Sequence, residues 1–385
     1  MSASTAPERA LGDAAITMTA AIVRDHHGGF GLEPALLDPP RSDEVLVRIV
    51  ATGLCHTDIL VRDGIMPVPF PIVLGHEGAG TIIAVGSAVT DLMPGDPVVL
   101  TYLSCGHCRQ CEGGSTASCA HIRDLCFSGA RPDGSHALRG GEGEALNDRF
   151  FGQSSFATHC IANRRNVVKV SAEAPLELLG PLGCGVMTGA GTVWNALRVG
   201  PGDSFAVHGA GAVGLSAVMA ARVAGATTII AVDVVPSRLA LARELGATHV
   251  VDATQEDSVA AIRSITKGGS GFALDTTGRP SVMQSAVSAL RQRGVAALVA
   301  ATEPVLQLDL HDLLAGCKSL VGVIEGGGVA NDVIIRLIDL HSKGLFPFER
   351  MVRMYDASQI NEAVKDVLAG TTIKPILRFD TIRGK

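Results

Sequence analysis

The sequence Gly209-Ala210-Gly211-Ala212-Val213-Gly214 sets how the second half of this chain folds. It follows a predicted strand, residues 204–208, and opens a predicted helix, residues 213–224. A G-x-G-x-x-G loop in that position allows a tight turn, a close approach of a pyrophosphate, and close packing of the helix on the strand. Amide groups at the start of the helix can then bind the phosphates. We weigh this against a βα turn with a purely structural role and favour a dinucleotide site.

Asp233 indicates which dinucleotide binds. It ends the next predicted strand, nineteen residues after Gly214. A carboxylate at that position accepts hydrogen bonds from the adenosine ribose hydroxyls and repels a 2′-phosphate. The following residues, Val234 and Val235, supply no cation for such a phosphate. The pattern therefore favours NAD over NADP.

Strands and helices alternate around this loop throughout the second half of the chain. The predicted strands are residues 204–208, 228–232, 249–251, 271–274, 295–300 and 320–324. The predicted helices are residues 213–224, 237–245, 258–266 and 281–291. Such alternation indicates a parallel, doubly wound sheet of the Rossmann type.

The first half has a different pattern and reads as β-rich. Its predicted strands are residues 19–24, 44–51, 79–85 and 97–102, separated by turns rich in glycine and proline. Residues 105–152 are predicted to be irregular. The last part of the chain adds two predicted helices, residues 333–342 and 360–368, and a short strand, residues 376–379.

Four of the nine cysteines form one short cluster. Cys105, Cys108, Cys111 and Cys119 have the spacing C-x2-C-x2-C-x7-C. Two-residue gaps allow a tight turn to direct successive thiolates at one point, and four thiolates complete a closed tetrahedral shell around a structural zinc. An iron–sulfur cluster, a pair of disulfides and a set of plain thiols are the alternatives. His107 lies inside the cluster and is expected to be a solvated loop residue rather than a ligand.

A scattered set of motifs adds a second possible metal site. It consists of Cys55-His56-Thr57-Asp58, Gly75-His76-Glu77-Gly78 and Gly183-Cys184-Gly185. Together with the cysteine cluster and the glycine loop, these motifs resemble the zinc alcohol dehydrogenases of the medium-chain dehydrogenase/reductase superfamily. The segments that resemble its aryl (benzyl-type) branch are Val61-Arg62-Asp63, Pro69-Phe70-Pro71, residues 75–80, residues 150–156 and Glu325-Gly326.

The resemblance implies an architecture and a set of metal-binding residues. It implies a β-rich, GroES-like catalytic domain over residues 1–185 and 327–385, and an NAD-binding Rossmann domain over residues 186–326. It implies that Cys55, His76 and Cys184 hold a catalytic zinc whose fourth position is left for water or substrate, since alcohol dehydrogenases are the standard example of a Cys2His zinc site. Asp58 would orient His76, and Glu77 would lie beside the metal.

The same resemblance implies how the reaction proceeds. Zinc would favour loss of the alcohol proton, Thr57 would pass that proton on, and hydride would move to the nicotinamide. The residues implied to contact the cofactor, besides the glycine loop and Asp233, are His56, Thr188, Val213, Arg238 and Lys374. Phe151 and Tyr102, or Thr101 in place of Tyr102, are expected to line the substrate pocket. Leu60 stands where many relatives have the histidine that ends the proton relay.

Composition excludes several classes of protein. The 385 residues suggest two domains at roughly 100–200 residues each. The net charge of −6 and the absence of a long basic run argue against a nucleic-acid or anionic-membrane partner. The N-terminal segment, residues 1–17, has no signal-peptide pattern and is expected to be a frayed extension. We therefore expect a cytoplasmic enzyme with two zinc ions and one NAD per chain, acting on a small alcohol or aldehyde.

Two other functions remain open at this point. Arg123 follows the cysteine cluster, where the glutathione-dependent formaldehyde dehydrogenase of the same family uses an arginine. A catalytically silent NAD-binding sensor is the other alternative, although such a protein would be expected to lose zinc ligands or Thr57. The resemblance also implies a homodimer, because the long loop at residues 127–149 is similar to that of dimeric members of the family. The predicted strand at residues 320–324 corresponds to the edge strand that pairs across their two-fold axis.

Overall fold

The computed structural model describes residues 14–382 and divides the chain into two compact units. Among the described residues, the first comprises residues 14–106, 120–183 and 352–382, and the second comprises residues 107–119 and 184–351. Most of the N-terminal extension expected at residues 1–17 lies outside the described residues. The boundary that the sequence suggests at residues 326 and 327 stays a prediction.

The elements of the first half are mostly short strands. In chain order they are β1 (Ile16–Val23), β2 (Gly31–Leu37), β3 (Glu44–Gly53), α1 (His56–Arg62), β4 (Ile72–Val73), β5 (Gly78–Val85), β6 (Pro97–Leu100), α2 (Arg109–Glu112), α3 (Ile122–Phe127), β7 (Leu138–Gly140), β8 (Ala145–Leu146), β9 (His159–Asn163), β10 (Val167–Lys169) and α4 (Leu176–Leu179).

The second half contains longer helices between parallel strands. Its elements are α5 (Gly185–Gly191), β11 (Ser204–His208), α6 (Ala212–Val223), β12 (Thr228–Asp233), α7 (Pro236–Leu245), β13 (His249–Asp252), α8 (Ser258–Thr266), β14 (Ser270–Asp275), α9 (Pro280–Ser288), β15 (Leu290–Leu298), α10 (Leu310–Ala315), β16 (Ser319–Gly322), α11 (Ala330–Ser342), β17 (Val352–Asp356), α12 (Ile360–Leu368) and β18 (Lys374–Arg378).

Two sheets form the first unit. One has the strand order β4-β1-β2-β7-β8, and the other has the order β10-β6-β5-β3-β18-β17 with β9 also pairing with β3. The central strand β3 is buried along almost its whole length, which explains its nearly continuous run of Val, Leu, Ile and Ala. These sheets are the β-rich domain that the sequence predicts.

A six-stranded parallel sheet forms the second unit. Its order is β13-β12-β11-β14-β15-β16, so the chain moves outward from β11 in both directions. The predicted doubly wound sheet is confirmed. The central strand β11 leads directly into the glycine loop, which places that loop at the point where the strand order reverses.

Sequence reasoning missed some elements and placed others differently. Strand β2 was missed because Pro34 interrupts it; a proline lacks the amide hydrogen that a strand interior uses. Residues 105–152 were predicted to be irregular, but they contain α2, α3, β7 and β8. Strand β15 begins at Leu290 and ends at Leu298, whereas residues 295–300 were predicted. None of the helices among residues 14–382 is long and apolar enough to cross a membrane.

A buried ion-pair cluster ties β3 to the loop before Phe150. The Glu44 carboxylate accepts hydrogen bonds from Arg131 Nε and Nη2, both at 2.9 Å, and from Arg149 Nη2. All three residues are at most 6% exposed. Burial alone would raise the pKa of Glu44, but the two guanidinium groups outweigh it and hold that pKa below its ordinary value. The cluster therefore stabilises the fold above the unfolded-state pKa of Glu44, and this stabilisation is lost as the pH falls through the lower folded-state pKa.

Substitution Glu44→Ala is expected to destabilise the protein by about 3–5 kcal/mol, because it leaves two buried guanidinium groups without their counter-charge. The measurement is urea unfolding at neutral pH. Asp133→Ala is the matched control, since it removes an exposed carboxylate that pairs with Arg41 and should have no resolvable effect. An equal decrease in the free energy of unfolding for the two variants would show that the buried cluster has no special structural role.

Candidate active site

Asp58 organises the first part of the site. Its Oδ1 lies 3.0 Å from His76 Nδ1 and accepts a hydrogen bond from the Gly75 amide at 3.1 Å. Its Oδ2 accepts a hydrogen bond from the Cys55 amide at 2.9 Å. Asp58 reaches all three because it lies in the first turn of α1, whose N-cap is Cys55. The carboxylate therefore positions Cys55 and His76 together.

The orientation of His76 leaves one ring nitrogen for a metal. His76 is fully buried, and its Nε2 has no hydrogen-bond partner among residues 14–382. Burial disfavours the protonated ring, but the charge and hydrogen bond of Asp58 outweigh it and raise the pKa of His76 well above its ordinary value. Because Nδ1 is directed at Asp58, Nε2 is the ring nitrogen left for a metal, and it offers a lone pair when the ring is neutral.

The chain contains the ligands that a catalytic zinc requires. One ligand atom each from Cys55, His76, Glu77 and Cys184 lies within 4.8 Å of the others. Cys184 follows Gly183 directly and is the N-cap of α5. Two thiolates and one imidazole form a three-ligand zinc set with an open fourth position. The donor atoms and the orphaned Nε2 thus fit zinc.

Glu77 is paired with Lys374. The Lys374 ammonium lies 2.9 Å from both carboxylate oxygens of Glu77, and it also donates to the Leu54 carbonyl at 3.4 Å. Burial raises the pKa of Glu77, and the attraction of Lys374 opposes that rise. The resemblance implies a pyrophosphate contact for Lys374. Because the residue is only 3% exposed and its ammonium is held by Glu77, that role stays a prediction.

Aromatic rings pack against the His76 imidazole. Phe151 stacks on His76 with ring centroids 4.3 Å apart, and Phe150 meets the same ring edge-on at 5.3 Å. Phe127 contacts Phe151 at 5.1 Å. Phe151 has φ of +54°, a conformation that non-glycine residues adopt rarely and that concentrates at functional sites. An apolar wall therefore lies directly beside His76.

Polar side chains that the sequence did not single out hold this turn in place. Gln153 Nε2 donates to the carbonyls of His76 at 2.9 Å and Thr101 at 3.1 Å. Ser154 Oγ donates to the Val73 carbonyl at 2.6 Å and accepts from the Phe150 amide at 3.0 Å. Both lie in the segment 150–156, for which the sequence offers only a family resemblance. No pattern in one sequence indicates these backbone partners.

The expected pocket residues differ in what they contact. Tyr102 is buried at 3% exposure, and Phe151 is buried at 7%. Thr101 Oγ1 donates to the Gly183 carbonyl at 2.8 Å, and its side chain therefore has a structural partner. The choice between Tyr102 and Thr101 for the pocket wall stays a prediction.

The cysteine cluster comes together as its spacing indicates. The four sulfurs of Cys105, Cys108, Cys111 and Cys119 lie within 4.8 Å of one another, and no disulfide forms among the described cysteines. Cys108 is the N-cap of the short helix α2, which turns Cys111 back toward it, with the two sulfurs 3.5 Å apart. Four converging thiolates fit a structural zinc. His107 is exposed, as expected, but its ring lies within 4.8 Å of Cys105 Sγ.

The three glycines of the glycine loop, Gly209, Gly211 and Gly214, have the properties expected of a dinucleotide site. Gly209 has φ of +95°, and a Cβ there would lie 2.4 Å from Thr276 Oγ1. A Cβ at Gly214 would lie 1.8 Å from the Gly209 carbonyl oxygen, so the helix packs closely on the strand. By contrast, a Cβ at Gly211 would meet nothing within 4 Å. That open space is where a pyrophosphate can approach the backbone.

Asp233 is attached to the loop itself. Its Oδ2 accepts a hydrogen bond from the Ala210 amide at 2.6 Å, and its Oδ1 accepts from the amides of Val234 and Val235 at 2.8 and 2.9 Å. The carboxylate therefore holds the end of β12 against the glycine loop. Arg238 Nε is buried without a partner among the described residues, which leaves a donor near the same strand end.

Thr188 and Glu325 form a contact that the sequence did not predict. Glu325 is 7% exposed and has φ of +49°. Its Oε1 lies 3.4 Å from Cys184 Sγ, and its Oε2 lies 3.5 Å from Thr188 Oγ1. Thr188 and Val213 are the residues that the resemblance places around the nicotinamide. Glu325 stands out in the sequence only within the motif Glu325-Gly326, which assigns it no role.

Two residues with implied roles in catalysis, His56 and Thr57, lie in the first turn of α1. Thr57 is partly buried, and its Oγ1 lies 3.6 Å from Cys55 Sγ. His56 is exposed. Leu60 is partly buried on the same helix, so no imidazole stands at that position. The roles assigned to these residues stay predictions.

Comparison with known proteins places this chain in a family. An alcohol dehydrogenase GroES-like domain matches residues 41–172, and a zinc-binding dehydrogenase domain matches residues 212–343. A geraniol dehydrogenase of Castellaniella defragrans is 46% identical over 368 residues, covering 94% of this chain and 98% of that protein.

Two solved structures are similar over nearly the whole chain. An alcohol dehydrogenase zinc-binding domain protein from Burkholderia ambifaria is 54% identical with a TM-score of 0.93. A benzyl alcohol dehydrogenase from Acinetobacter calcoaceticus is 49% identical with a TM-score of 0.92. Each comparison covers 94% of this chain and 99% of the other.

Substitution Asp58→Asn is expected to weaken zinc binding at the catalytic site by roughly 10- to 100-fold. The reason is that the neutral side chain that replaces the carboxylate no longer fixes the charge and tautomer of His76. The measurement is competition with a zinc chelator, followed by elemental analysis. Asp63→Asn is the control, since Asp63 lies at the other end of α1 and pairs with Arg62. Unchanged zinc retention in Asp58→Asn would contradict the positioning role.

Proposed function

This chain belongs to the zinc-dependent alcohol dehydrogenases of the medium-chain dehydrogenase/reductase superfamily, which are NAD-dependent enzymes, and we propose that it oxidises a primary aromatic or allylic terpenoid alcohol to the aldehyde, reversibly. The observation that carries the substrate class is the stacking of Phe151 on the metal-binding His76. The names of two relatives, a geraniol dehydrogenase and a benzyl alcohol dehydrogenase, agree with it.

The roles proposed for the residues follow from the chemistry of the site. Cys55, His76 and Cys184 would hold a zinc ion, which would supply Lewis acidity that lowers the pKa of an alcohol, and the glycine loop would hold the NAD that takes up the hydride. Asp58 keeps His76 in the tautomer that binds the metal. The hydroxyl of Thr57 is next to Cys55 and is proposed to take up the alcohol proton and pass it on. Because Leu60 supplies no base, the proton then leaves to solvent.

The aromatic wall explains why a flat, apolar substrate is favoured. Phe151, Phe150 and Phe127 form a chain of ring contacts that begins at His76. Ring contacts contribute about 0.5–1.5 kcal/mol beyond the burial of apolar area. A small aliphatic alcohol such as ethanol has no ring or conjugated chain to use that surface. The proposed pocket wall is completed by Tyr102, which is also buried.

Rates of NADH formation with benzyl alcohol, geraniol and ethanol test the substrate class. We expect kcat/KM to be highest for the first two alcohols. In Phe151→Leu, kcat/KM for benzyl alcohol should fall about 2- to 10-fold more than kcat/KM for ethanol, because the ring contact is lost. Equal efficiency with all three alcohols would contradict the proposal. Activity with formaldehyde that depends on glutathione would instead favour the alternative raised by Arg123.

We also propose that two copies of the chain associate as a homodimer through the edge of the parallel sheet. Strand β16 is the last strand of that sheet and pairs with β15 on one side. Large apolar side chains near it in sequence are exposed: Val305 at 66%, Leu310 at 72%, Leu314 at 79% and Ile324 at 59%. An open sheet edge with exposed apolar side chains is a surface that a second copy can cover.

Light scattering measures this association directly. The wild-type chain is expected to have twice its own mass of 39.7 kDa at micromolar concentration. Leu314→Glu should shift the protein toward the monomer, because it places a charge in the apolar surface. Leu368→Glu is the control, since Leu368 is exposed on α12 in the other unit. A wild-type monomer would contradict the dimer, and a tetramer would show that the length of the loop at residues 127–149 does not set the assembly.

A further inference from the structure

A third group of metal ligands lies in the cysteine-rich lobe, which we define as residues 105–121. It consists of Cys105, His107 and His121, whose ligand atoms lie within 4.8 Å of one another. Cys105 is 6% exposed, whereas both histidines are exposed. The proposed catalytic chemistry does not use either histidine. The lobe therefore brings two imidazoles at the surface next to one buried thiolate of the structural-zinc set.

The chemistry of this group is that of a zinc ligand set. Imidazole nitrogens and thiolates are the donors that zinc prefers in proteins. A thiolate sulfur keeps a further lone pair after it has bound one ion, so Cys105 can bind the structural zinc and a second ion together. Three protein ligands leave a fourth position for water, and a site of this kind exchanges its metal more easily than a closed four-cysteine site.

The position of the histidines makes the group accessible from solvent. His107 lies between Cys105 and Cys108 in the chain, and His121 lies two residues after Cys119. Both are therefore held near the cluster by the same turns that converge the four thiolates. The arrangement needs no large movement of the backbone, because the three ligand atoms are already close together.

We propose that the lobe binds a third, exchangeable zinc ion through His107, His121 and the shared thiolate of Cys105. This inference rests on the four-cysteine cluster holding its structural zinc. The site is distinct from the catalytic set of Cys55, His76 and Cys184, and the ion is not needed for alcohol oxidation. Its occupancy depends on the concentration of free zinc.

Titration calorimetry tests the proposal with tag-free enzyme that elemental analysis shows to contain two zinc ions per chain. Adding zinc chloride should show one further binding event in the wild-type enzyme. His107→Ala and His121→Ala should each weaken that event by at least about 10-fold, since even partners that only orient a ligand are worth that much. His311→Ala is the control, because it removes an exposed histidine from α10 and should change nothing.

The zinc content measured before the titration distinguishes a damaged structural-zinc cluster from the loss of the third site alone. A variant that already lacks its structural zinc would be identified by elemental analysis before the titration, so a damaged lobe is not mistaken for a lost third site. All variants should oxidise alcohol at the wild-type rate when no zinc is added. A wild-type enzyme that binds no third ion would overturn the proposal. The same is true of a third ion whose affinity survives both histidine substitutions.

Cobalt(II) identifies the shared sulfur. Added to the two-zinc enzyme in place of the third zinc, cobalt should give a thiolate-to-cobalt charge-transfer absorption, since Cys105 is one of its ligands. The absorption should be lost in His107→Ala and His121→Ala and kept in His311→Ala. Binding of cobalt without this absorption would overturn the assignment of Cys105 and leave only a pair of surface histidines.

Discussion

Three hydrogen bonds to the Asp58 carboxylate hold the proposed catalytic centre together. They come from the His76 ring and from the amides of Gly75 and Cys55, at 2.9–3.1 Å. Asp58 and His76 are fully buried, so each of these bonds lies in a region of low dielectric where an unpaired carboxylate would be very costly. The position of Cys55 at the start of α1, and the orientation of the His76 ring, both depend on this one carboxylate.

Two buried carboxylates, Glu77 and Glu44, are paired with cations. Glu77 is held by Lys374, and Glu44 is held by Arg131 and Arg149. Such pairs rarely add much net stability compared with an apolar core, because both charges must be removed from water. They do fix geometry, since losing one partner leaves the other charge buried alone. The turn that presents Phe151 to His76 follows directly on Arg149, so the Glu44 cluster fixes the entry to the aromatic wall.

Backbone conformations that are costly in isolation occur beside the proposed metal-binding residues. Phe151 and Glu325 both have positive φ, and they contact His76 and Cys184 respectively. The chain around Glu325 is closely packed. At the next residue, Gly326, an added Cβ would lie 2.6 Å from the Met187 carbonyl oxygen. Strain of this kind persists only where the surrounding structure determines the conformation.

Local spacing along the chain was enough to predict several parts of this protein. The C-x2-C-x2-C-x7-C cluster converges because short gaps leave the chain few other paths, and the glycine loop marks its own position between β11 and α6. The alternating pattern likewise predicted the parallel sheet. The pairing of Lys374 with Glu77, 297 positions apart, and the contact of Glu325 with Cys184, 141 positions apart, became visible only in the folded chain. Such contacts depend on how distant segments pack, and no local pattern of side chains records that packing.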